Sequence, residues 1–296
     1  MNRRRAFSLI ELVVVLAIMA VLTGLLLAGV QRVRRAAVNA ACQHKLRQVA
    51  LGLHAMHDTN GQFPPGHRSY FHRDVMPYTG WPLSLLPYVE QAGLYDQSRQ
   101  AFRTTVYPFD GPPHVGLGTV VPAYVCPADP RIQTAQVSHR THKLAAFTSY
   151  LGVAGANYRS RDGILFQNSA VKMADVTDGL SCTLLLGERP PSPDFQFGWW
   201  YAGIGQRGTG STDMTLGVRE VNIQPITSGS PCGPGTYSFG ESTFADPCGV
   251  FHFWSPHGGG ANFALGDGSV RRIRYAGAGL LPALASRAGG DGGDLP

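Results

Sequence analysis

The first thirty residues, MNRRRAFSLIELVVVLAIMAVLTGLLLAGV (1–30), decide the architecture of this chain. From Leu12 to Val30 they contain no charged residue. At a rise of ~1.5 Å per residue, a helix of this stretch nearly crosses a hydrocarbon core of ~30 Å. One carboxylate, Glu11, lies at the start of the apolar run, where burying a charge costs roughly 2.5 kcal/mol or more. The stretch predicts a membrane-spanning helix and requires a reason for its one acid.

The helical pattern continues past the apolar run. Leu46, Val49, Leu53 and Met56 recur at spacings of three and four residues, which is typical of one apolar stripe on a helix. Proline is absent from the chain until DTNGQFPPG (58–66), where Asn-Gly and Pro-Pro pairs end any helix. We therefore predict a single helix of about fifty residues, apolar in its first half and amphipathic in its second.

Composition limits the kind of domain that can come after the helix. Hydrophobic residues make up 44% and charged residues 15% of the chain, with 37 glycines and 21 prolines, which favours a turn-rich head over a helical bundle. The net charge is +6, but three of the positive charges are Arg3, Arg4 and Arg5 at the N-terminus. The remaining charge is small and dispersed, so no nucleic-acid partner is expected.

The head contains short apolar runs bounded by Gly, Pro, Asp or Asn. We predict strands in AAFTSYLGVAGANY, DGILF, CTLLLGE, FGWWYAG and GVFHFW. Asp267-Gly268 between two apolar arms predicts a hairpin with a type I′ turn, in which Leu265 faces Val270. The predicted fold class is α+β: a long transmembrane-plus-amphipathic helix followed by an antiparallel β-sheet head with long loops.

Five cysteines fit an exported protein with one or two disulfides. Cys232 and Cys248 flank the Gly/Pro-rich loop CGPGTYSFGESTFADPC and form one candidate pair. Cys42 and Cys126 form a second candidate pair between helix and head, which leaves Cys182 over. The alternative, five reduced and buried thiols, stays open at this level.

The stretch RRRAFSLIELVVVLAIMAVL resembles the N-terminal signal of type IV prepilins and type II secretion pseudopilins. The resemblance implies cleavage after Ala6 by a prepilin peptidase and methyltransferase, methylation of Phe7, and Glu11 as the acid at the fifth mature position. Most members carry glycine where this chain has Ala6. Other pilin-like subunits, in a homo- or hetero-polymer, and membrane lipid are the further partners implied.

This resemblance supplies a reason for Glu11. A buried carboxylate is tolerated when an opposite charge meets it. In a pilin-like assembly, Glu11 of one subunit would neutralise the Phe7 amine of its neighbour and so set the stacking register. The alternative is a plain signal anchor, in which Glu11 lies near the lipid headgroups. The resemblance and the cysteines together favour a single-pass inner-membrane protein with its head in the periplasm or outside the cell.

Several head motifs resemble a bacterial family of unknown function, also described as solute-binding-like, that carries a prepilin-type N-terminus. The matching pieces include GWPLSLLPYVEQAGLYD, YVCPADP, DVTDGLSCTLLLGE and a C-terminal motif of His257, nine residues, then Asp267 and Gly268. The resemblance covers nearly the whole chain. It implies an anchored or assembling protein and supplies no mechanism.

For His257 we expect a hydrogen bond to Asp267 that locks the intervening GGGAN loop and fixes the imidazole tautomer. A metal site completed by Asp246 and His252 is a weaker alternative, and a nucleophile at Ser255 is weaker still because no G-x-S-x-G occurs. We therefore expect no cofactor, no metal and no enzymatic activity.

The aromatic cluster Trp199, Trp200 and Tyr201 allows two interpretations. Such rings stack on sugars when they are exposed, but consecutive large aromatics are more often the buried centre of a sheet, and we favour the core.

These observations predict five regions. They are a leader (1–6), a transmembrane helix (7–30), its amphipathic continuation (31–59), a β-rich extracytoplasmic head (60–275) and a Gly-rich C-terminal tail (276–296), which is either loose or packed through LLPALASRAGG. The leading functional hypothesis is a pilin- or pseudopilin-like structural subunit. The alternative is a membrane-tethered extracytoplasmic solute- or glycan-binding protein, and a tethered hydrolase has the least support.

Overall fold

The computed structural model describes residues 9–70, 75–109, 111–139, 141–223 and 231–290. The chain forms two compact units, residues 1–40 and residues 41–296. One helix, α1 (Leu9–Asn60), passes from the first unit into the second. The predicted single helix of about fifty residues is therefore confirmed.

The first unit is the apolar part of α1. Its most apolar window of eighteen residues has a mean hydropathy of 2.8, and the helix is long and apolar enough to cross a membrane. Large apolar side chains from Leu9 to Val33 are exposed all along it. Exposed apolar surface of this extent marks a contact with lipid or protein, in agreement with the predicted span.

The second unit begins with the last turns of α1. Leu46, Val49 and Leu53 of the predicted stripe are completely buried, and Met56 is half-buried. The helix ends at Asn60 because Gly61 takes a left-handed conformation with φ 73°. The amphipathic half of the helix therefore supplies one face of the head's core.

The head combines short helices with short strands. Its helices are α2 (Trp81–Leu85), α3 (Ala92–Thr104) and α4 (Leu281–Ala285). Its strands are β1 (Gln136–Val137), β2 (Leu144–Ala145), β3 (Tyr150–Gly155), β4 (Leu184–Glu188), β5 (Thr215–Gly217), β6 (Arg219–Asn222), β7 (Gly235–Ser238), β8 (Gly260–Leu265) and β9 (Val270–Arg274).

The central sheet has five strands in the order β5-β3-β4-β8-β9. Its pairs are antiparallel except that β5 runs parallel to β3, while β1–β2 and β6–β7 form separate antiparallel pairs. The predicted α+β class is confirmed, with one parallel pair that the sequence did not indicate. The long connection between β4 and β5 permits this pairing, since a parallel neighbour needs a crossover.

Only some of the predicted strands form. AAFTSYLGVAGANY contains β3 and CTLLLGE contains β4. In FGWWYAG, Trp199 makes only an isolated bridge with Phe147, and most of GVFHFW belongs to a 3-10 turn at Pro247–Phe251 or follows it. DGILF also remains outside the sheet ladders. These runs are buried in irregular backbone, and a short apolar run alone cannot distinguish that state from a strand.

The predicted hairpin joins β8 to β9, but its turn differs from the expected type. Ala264, and not Leu265, pairs with Val270. The Leu265 carbonyl accepts from the Gly268 N–H at 3.0 Å, and the Leu265 N–H donates to the Ser269 carbonyl at 2.9 Å. The bond from Leu265 to Ser269 leaves a loop of three residues, 266–268. Of these three, Gly268 alone has positive φ (81°). A type I′ turn needs two residues and positive φ at both, so the type I′ prediction is wrong.

The aromatic cluster lies in the core, as we favoured. Trp199 is 4% exposed, and Trp200 and Tyr201 are completely buried. The Trp200 indole N–H donates to the Thr119 carbonyl at 2.8 Å, so its polar atom is satisfied within the protein.

The C-terminal region packs onto the head up to the last described residue, 290. Leu281, Leu284 and Ala285 of α4 join a second apolar core that includes residues of β3, β4 and β8. The Arg287 N–H also donates to the Asp162 carbonyl at 2.9 Å. Residues 276–290 are therefore part of the head, and the loose-tail alternative is wrong for them.

We expect Leu284→Ala to lower the free energy of unfolding by about 2–5 kcal/mol, because it leaves a cavity at a side chain that is 2% exposed. Leu280→Ala, at a neighbouring leucine that is 45% exposed, is the matched control and should change little. Denaturant unfolding followed by tryptophan fluorescence measures both. Equal effects of the two variants would mean that this segment does not pack as described.

Candidate functional site

Two disulfides bond four of the five cysteines. Cys42 on α1 is joined to Cys126 with a Cα–Cα distance of 5.1 Å, and Cys232 is joined to Cys248 with a Cα–Cα distance of 5.5 Å. Cys182 carries a free thiol and is half-buried. Both predicted pairs and the predicted leftover cysteine are confirmed, and the alternative of five reduced thiols is wrong.

His257 lies against the first of these disulfides. Its Nε2 atom is 3.4 Å from the Cys126 Sγ atom and 3.8 Å from the Glu188 Oε1 atom. The side chains of His257 and Glu188 are 5% and 2% exposed. The imidazole is therefore enclosed between a covalent cross-link and a carboxyl group at the end of β4.

Glu188 is fixed by β8. The backbone N–H of Asn262 donates to Glu188 Oε2 at 2.9 Å, and the Asn262 amide Nδ2 donates to Oε1 at 3.1 Å. The amide Nε2 of Gln43 on α1 donates to Asn262 Oδ1 at 2.9 Å. We call this group the disulfide–histidine junction; its members are Cys42, Gln43, Cys126, Glu188, His257 and Asn262. It ties α1, through Cys42 and Gln43, to two central strands.

Both titratable groups of the junction favour their neutral forms. Burial raises the pKa of Glu188, and the hydrogen bonds from Asn262 oppose that rise. Burial, and secondly the charge of Arg272, lower the pKa of His257 from 6.5 to about 4. At neutral pH the His257 imidazole is therefore uncharged, so its contact with Glu188 is a polar packing contact and not an ion pair.

The expected bond between His257 and Asp267 does not form. His257 precedes β8 and Asp267 follows it, and a strand of that length separates its ends by about 20 Å. Asp267 instead accepts from the Ser269 N–H at 2.8 Å within the hairpin turn. The carboxyl group beside His257 is that of Glu188, so the prediction was wrong about the partner.

Asp246 and His252, the candidate metal ligands that the sequence offered beside His257, make other contacts. Asp246 caps the turn at Pro247–Phe251 by accepting from the Cys248 N–H at 2.8 Å, and His252 Nδ1 lies 3.2 Å from its neighbour's carbonyl at Phe253. Neither residue belongs to the disulfide–histidine junction.

The junction itself brings four ligand-type atoms together. One atom each of Cys42, Cys126, Glu188 and His257 lies within 4.8 Å of the others. Metal ions bind cysteine as thiolate, and both sulfurs here are bonded to each other. The donor set therefore does not fit a metal ion in the disulfide state.

Sequence reasoning missed Glu188 and Asn262. Each sits in a strand whose other residues are all buried, LLLGE and GANFAL. A polar residue in a strand buried throughout requires an internal hydrogen-bond partner, and this was the signal available in the sequence. That signal could not identify the partner.

Near the N-terminus, Glu11 lies in the first turn of α1 and is exposed in the monomer. Ala6 and Phe7, the predicted processing site, lie outside the described residues. The chain is thus a disulfide-linked α+β head that follows a helix long and apolar enough to anchor it in a membrane.

Comparison with known families agrees with this description. Residues 31–276 match the family described as protein of unknown function (DUF1559), and the chain belongs to that family. Residues 1–27 match the prokaryotic N-terminal methylation motif, which implies processing by a prepilin peptidase and supports a type IV pilin-like subunit. No curated protein and no solved structure shows a significant match.

Removing the Cys42–Cys126 bond should destabilise the head more than removing Cys232–Cys248. The bonds close loops of 84 and 16 residues, for which chain entropy gives about 4.5 and about 3 kcal/mol. Each pair is changed to alanine together, and the free energies of unfolding are compared under non-reducing conditions. The prediction is contradicted if the variant without the Cys232–Cys248 bond is less stable than the variant without the Cys42–Cys126 bond.

His257 should make the head sensitive to acid. Its folded pKa of about 4 lies below the ordinary 6.5, so the unfolded chain takes up the proton first, and stability is lost as the pH falls from 6.5 to 4. The raised pKa of Glu188 acts in the opposite sense, because the folded state binds that proton more readily. We expect His257→Gln to flatten the fall of the melting temperature between pH 7 and 4.5.

The matched control is His44→Gln, which removes an exposed histidine on α1. Its pH profile should follow that of the parent protein. A parent-like profile for His257→Gln would show that His257 is protonated equally in the folded and unfolded states.

Proposed function

We propose that the protein is a type IV pilin-like structural subunit that is cleaved after Ala6, methylated at Phe7 and assembled through α1. The observation that carries the proposal is the methylation motif over residues 1–27, which overlaps the start of α1, a helix whose apolar side chains are exposed. An exposed apolar helix behind a processing motif supplies a surface for lipid before assembly and for other subunits after it.

Glu11 gives this assembly its register. Cleavage before Phe7 creates an amine that keeps its positive charge when methylated. A carboxylate in the hydrocarbon region is costly unless an opposite charge meets it, and the Phe7 amine of an adjoining subunit provides that charge. Subunits that pair Glu11 with Phe7 are stabilised over those that slide to other positions along the helix.

The head's two disulfides support a location outside the cytoplasm, because such bonds persist in oxidising compartments. We place α1 as a single pass in the inner membrane, with the head in the periplasm or outside the cell. The subunit then belongs to a type II secretion pseudopilus or a pilus-like fibre, as a homo- or hetero-polymer.

We also propose that the motif of His257, Asp267 and Gly268 is structural and that the protein is not an enzyme. His257 packs one end of β8 onto the disulfide, and Asp267 with Gly268 forms the turn at the other end. The His257 and Glu188 side chains are 5% and 2% exposed and the two sulfurs are bonded to each other, which leaves no free thiolate in the junction as a nucleophile.

The tethered glycan-binding alternative, in the form based on Trp199 and Trp200, is less well supported than assembly. Both rings are buried, and a sugar cannot stack on them without opening the core.

The test of assembly begins with the intact mass of the protein from its native membrane, where we expect a mature chain that starts at Phe7 and carries one extra methyl group. Glu11→Val should then leave the protein in the membrane but abolish crosslinked multimers and sheared fibres, because the Phe7 amine loses its partner. Multimers are measured by crosslinking in intact cells.

Thr23→Val is the matched control, since it also replaces a polar residue with valine in the same span. The Thr23 hydroxyl donates to the Met19 carbonyl of its own helix at 2.7 Å. Its multimers should be unchanged. A chain that retains Met1, or multimers that survive Glu11→Val, would contradict the proposal.

A further inference from the structure

An open cavity of about 580 Å³ lies on the head, away from the disulfide–histidine junction. Its walls include Tyr70, Tyr78, Arg161, Asn168 and Arg207. A volume of this size suits a small ligand of one to a few rings.

Several residues that line the cavity have positive φ, the left-handed backbone conformation. In the part of the chain that the structure describes, eight residues other than glycine have positive φ, and four of them line this cavity. They are Tyr78 (64°), Arg161 (52°), Asn168 (55°) and Arg207 (49°). Asparagine tolerates this conformation, but it is unfavourable for tyrosine and arginine, and such residues cluster at ligand sites, where the surrounding structure holds them.

Hydrogen bonds hold the walls in place. The Asn168 side chain accepts from the Ser69 N–H at 3.0 Å and donates to the Ser69 hydroxyl at 2.9 Å. Gln167 donates to the Gly208 carbonyl and accepts from the Arg161 guanidinium at 3.0 Å. The site is therefore shaped before a ligand arrives, which reduces the entropy lost on binding.

The charge of the walls selects an anion. Arg161 and Arg207 are exposed, and the described lining contains no carboxylate. In the described part of the chain neither arginine forms a salt bridge. A guanidinium binds carboxylate, phosphate or sulfate through two parallel hydrogen bonds, so two of them beside one cavity favour an acidic ligand.

Tyr70 and Tyr78 form an aromatic wall of the cavity, on which the ring of a ligand can pack. The rings of Tyr70 and Tyr78 stack with centroids 5.4 Å apart and planes 18° apart, and Tyr70 is 53% exposed. Tyr78 is supported from behind by Phe109 at 5.5 Å. An exposed tyrosine on a rigid aromatic base offers an apolar face with a polar edge, and amide groups of Gln167 and Asn168 lie nearby for hydroxyl groups.

We propose that this cavity binds an acidic saccharide: the sugar ring packs on Tyr70, and its acidic group pairs with Arg161 and Arg207. Amide groups pair with sugar hydroxyls and also with nucleobases, so AMP is the competing ligand in the test. The site does not depend on assembly, because a subunit in a fibre and a single anchored chain both carry the same head. Its failure would leave the assembly proposal intact.

The test uses the full mature chain in a nanodisc of phosphatidylcholine, which carries no net charge. Titration calorimetry with trigalacturonic acid should show saturable binding, while neutral maltotriose should not bind. Arg161→Gln and Arg207→Gln should each weaken binding by about tenfold, since each removes a charged hydrogen-bond donor. Glutamine is no more strained than arginine at these positions. Arg103→Gln, at an exposed arginine on α3, is the matched control.

Tyr70→Leu should weaken binding as well, because it removes the ring but keeps an apolar side chain. Glucose 6-phosphate and glucose 6-sulfate then distinguish a carboxylate sugar from the other acidic sugars, and binding of any of the three supports the proposal. The proposal is overturned if none of the three acidic sugars binds, if maltotriose binds equally well, or if AMP binds in their place. It is also overturned if Arg103→Gln weakens binding as much as the cavity variants do while its circular dichroism spectrum is unchanged.

Discussion

The head depends on its attachment to the last turns of α1. Leu46, Val49 and Leu53 bury one face of the helix in the core, and the Cys42–Cys126 bond fixes that face covalently. Cross-linking points this far apart in sequence lowers the entropy of the unfolded chain and so stabilises the fold by about 4.5 kcal/mol. A helix long and apolar enough to cross a membrane is thereby joined covalently to the head.

The disulfide–histidine junction shows how polar groups are accommodated in such a core. His257 and Glu188 are both displaced toward their neutral forms by burial, and Asn262 supplies the hydrogen bonds that the carboxyl group requires. A fully bonded polar group specifies one arrangement of strands, because any other arrangement leaves buried donors or acceptors unsatisfied. The contact therefore fixes how α1, β4 and β8 meet.

The two units present different kinds of surface. The first presents an apolar helix with a single acid in its first turn, and its chemistry concerns lipid and neighbouring subunits. The second presents loops on a rigid sheet, with the basic cavity at its surface. Function on loops held by a scaffold is common in proteins of this architecture, and an assembled fibre would repeat the cavity with every copy that it contains.

The sequence by itself determined the helix, the processing motif, the α+β class and the hairpin, and it named both disulfides as candidate pairs. These features follow from local periodicity, from turn residues and from a small number of cysteines, which are readable without knowing distant contacts. Only the tertiary structure decided that His257 meets Glu188 and not Asp267, that FGWWYAG is irregular core and that Arg161 and Arg207 share a cavity. Such contacts join residues far apart in the chain, 131 positions for His257 and Cys126, and no local pattern encodes which distant side chain fills a given space.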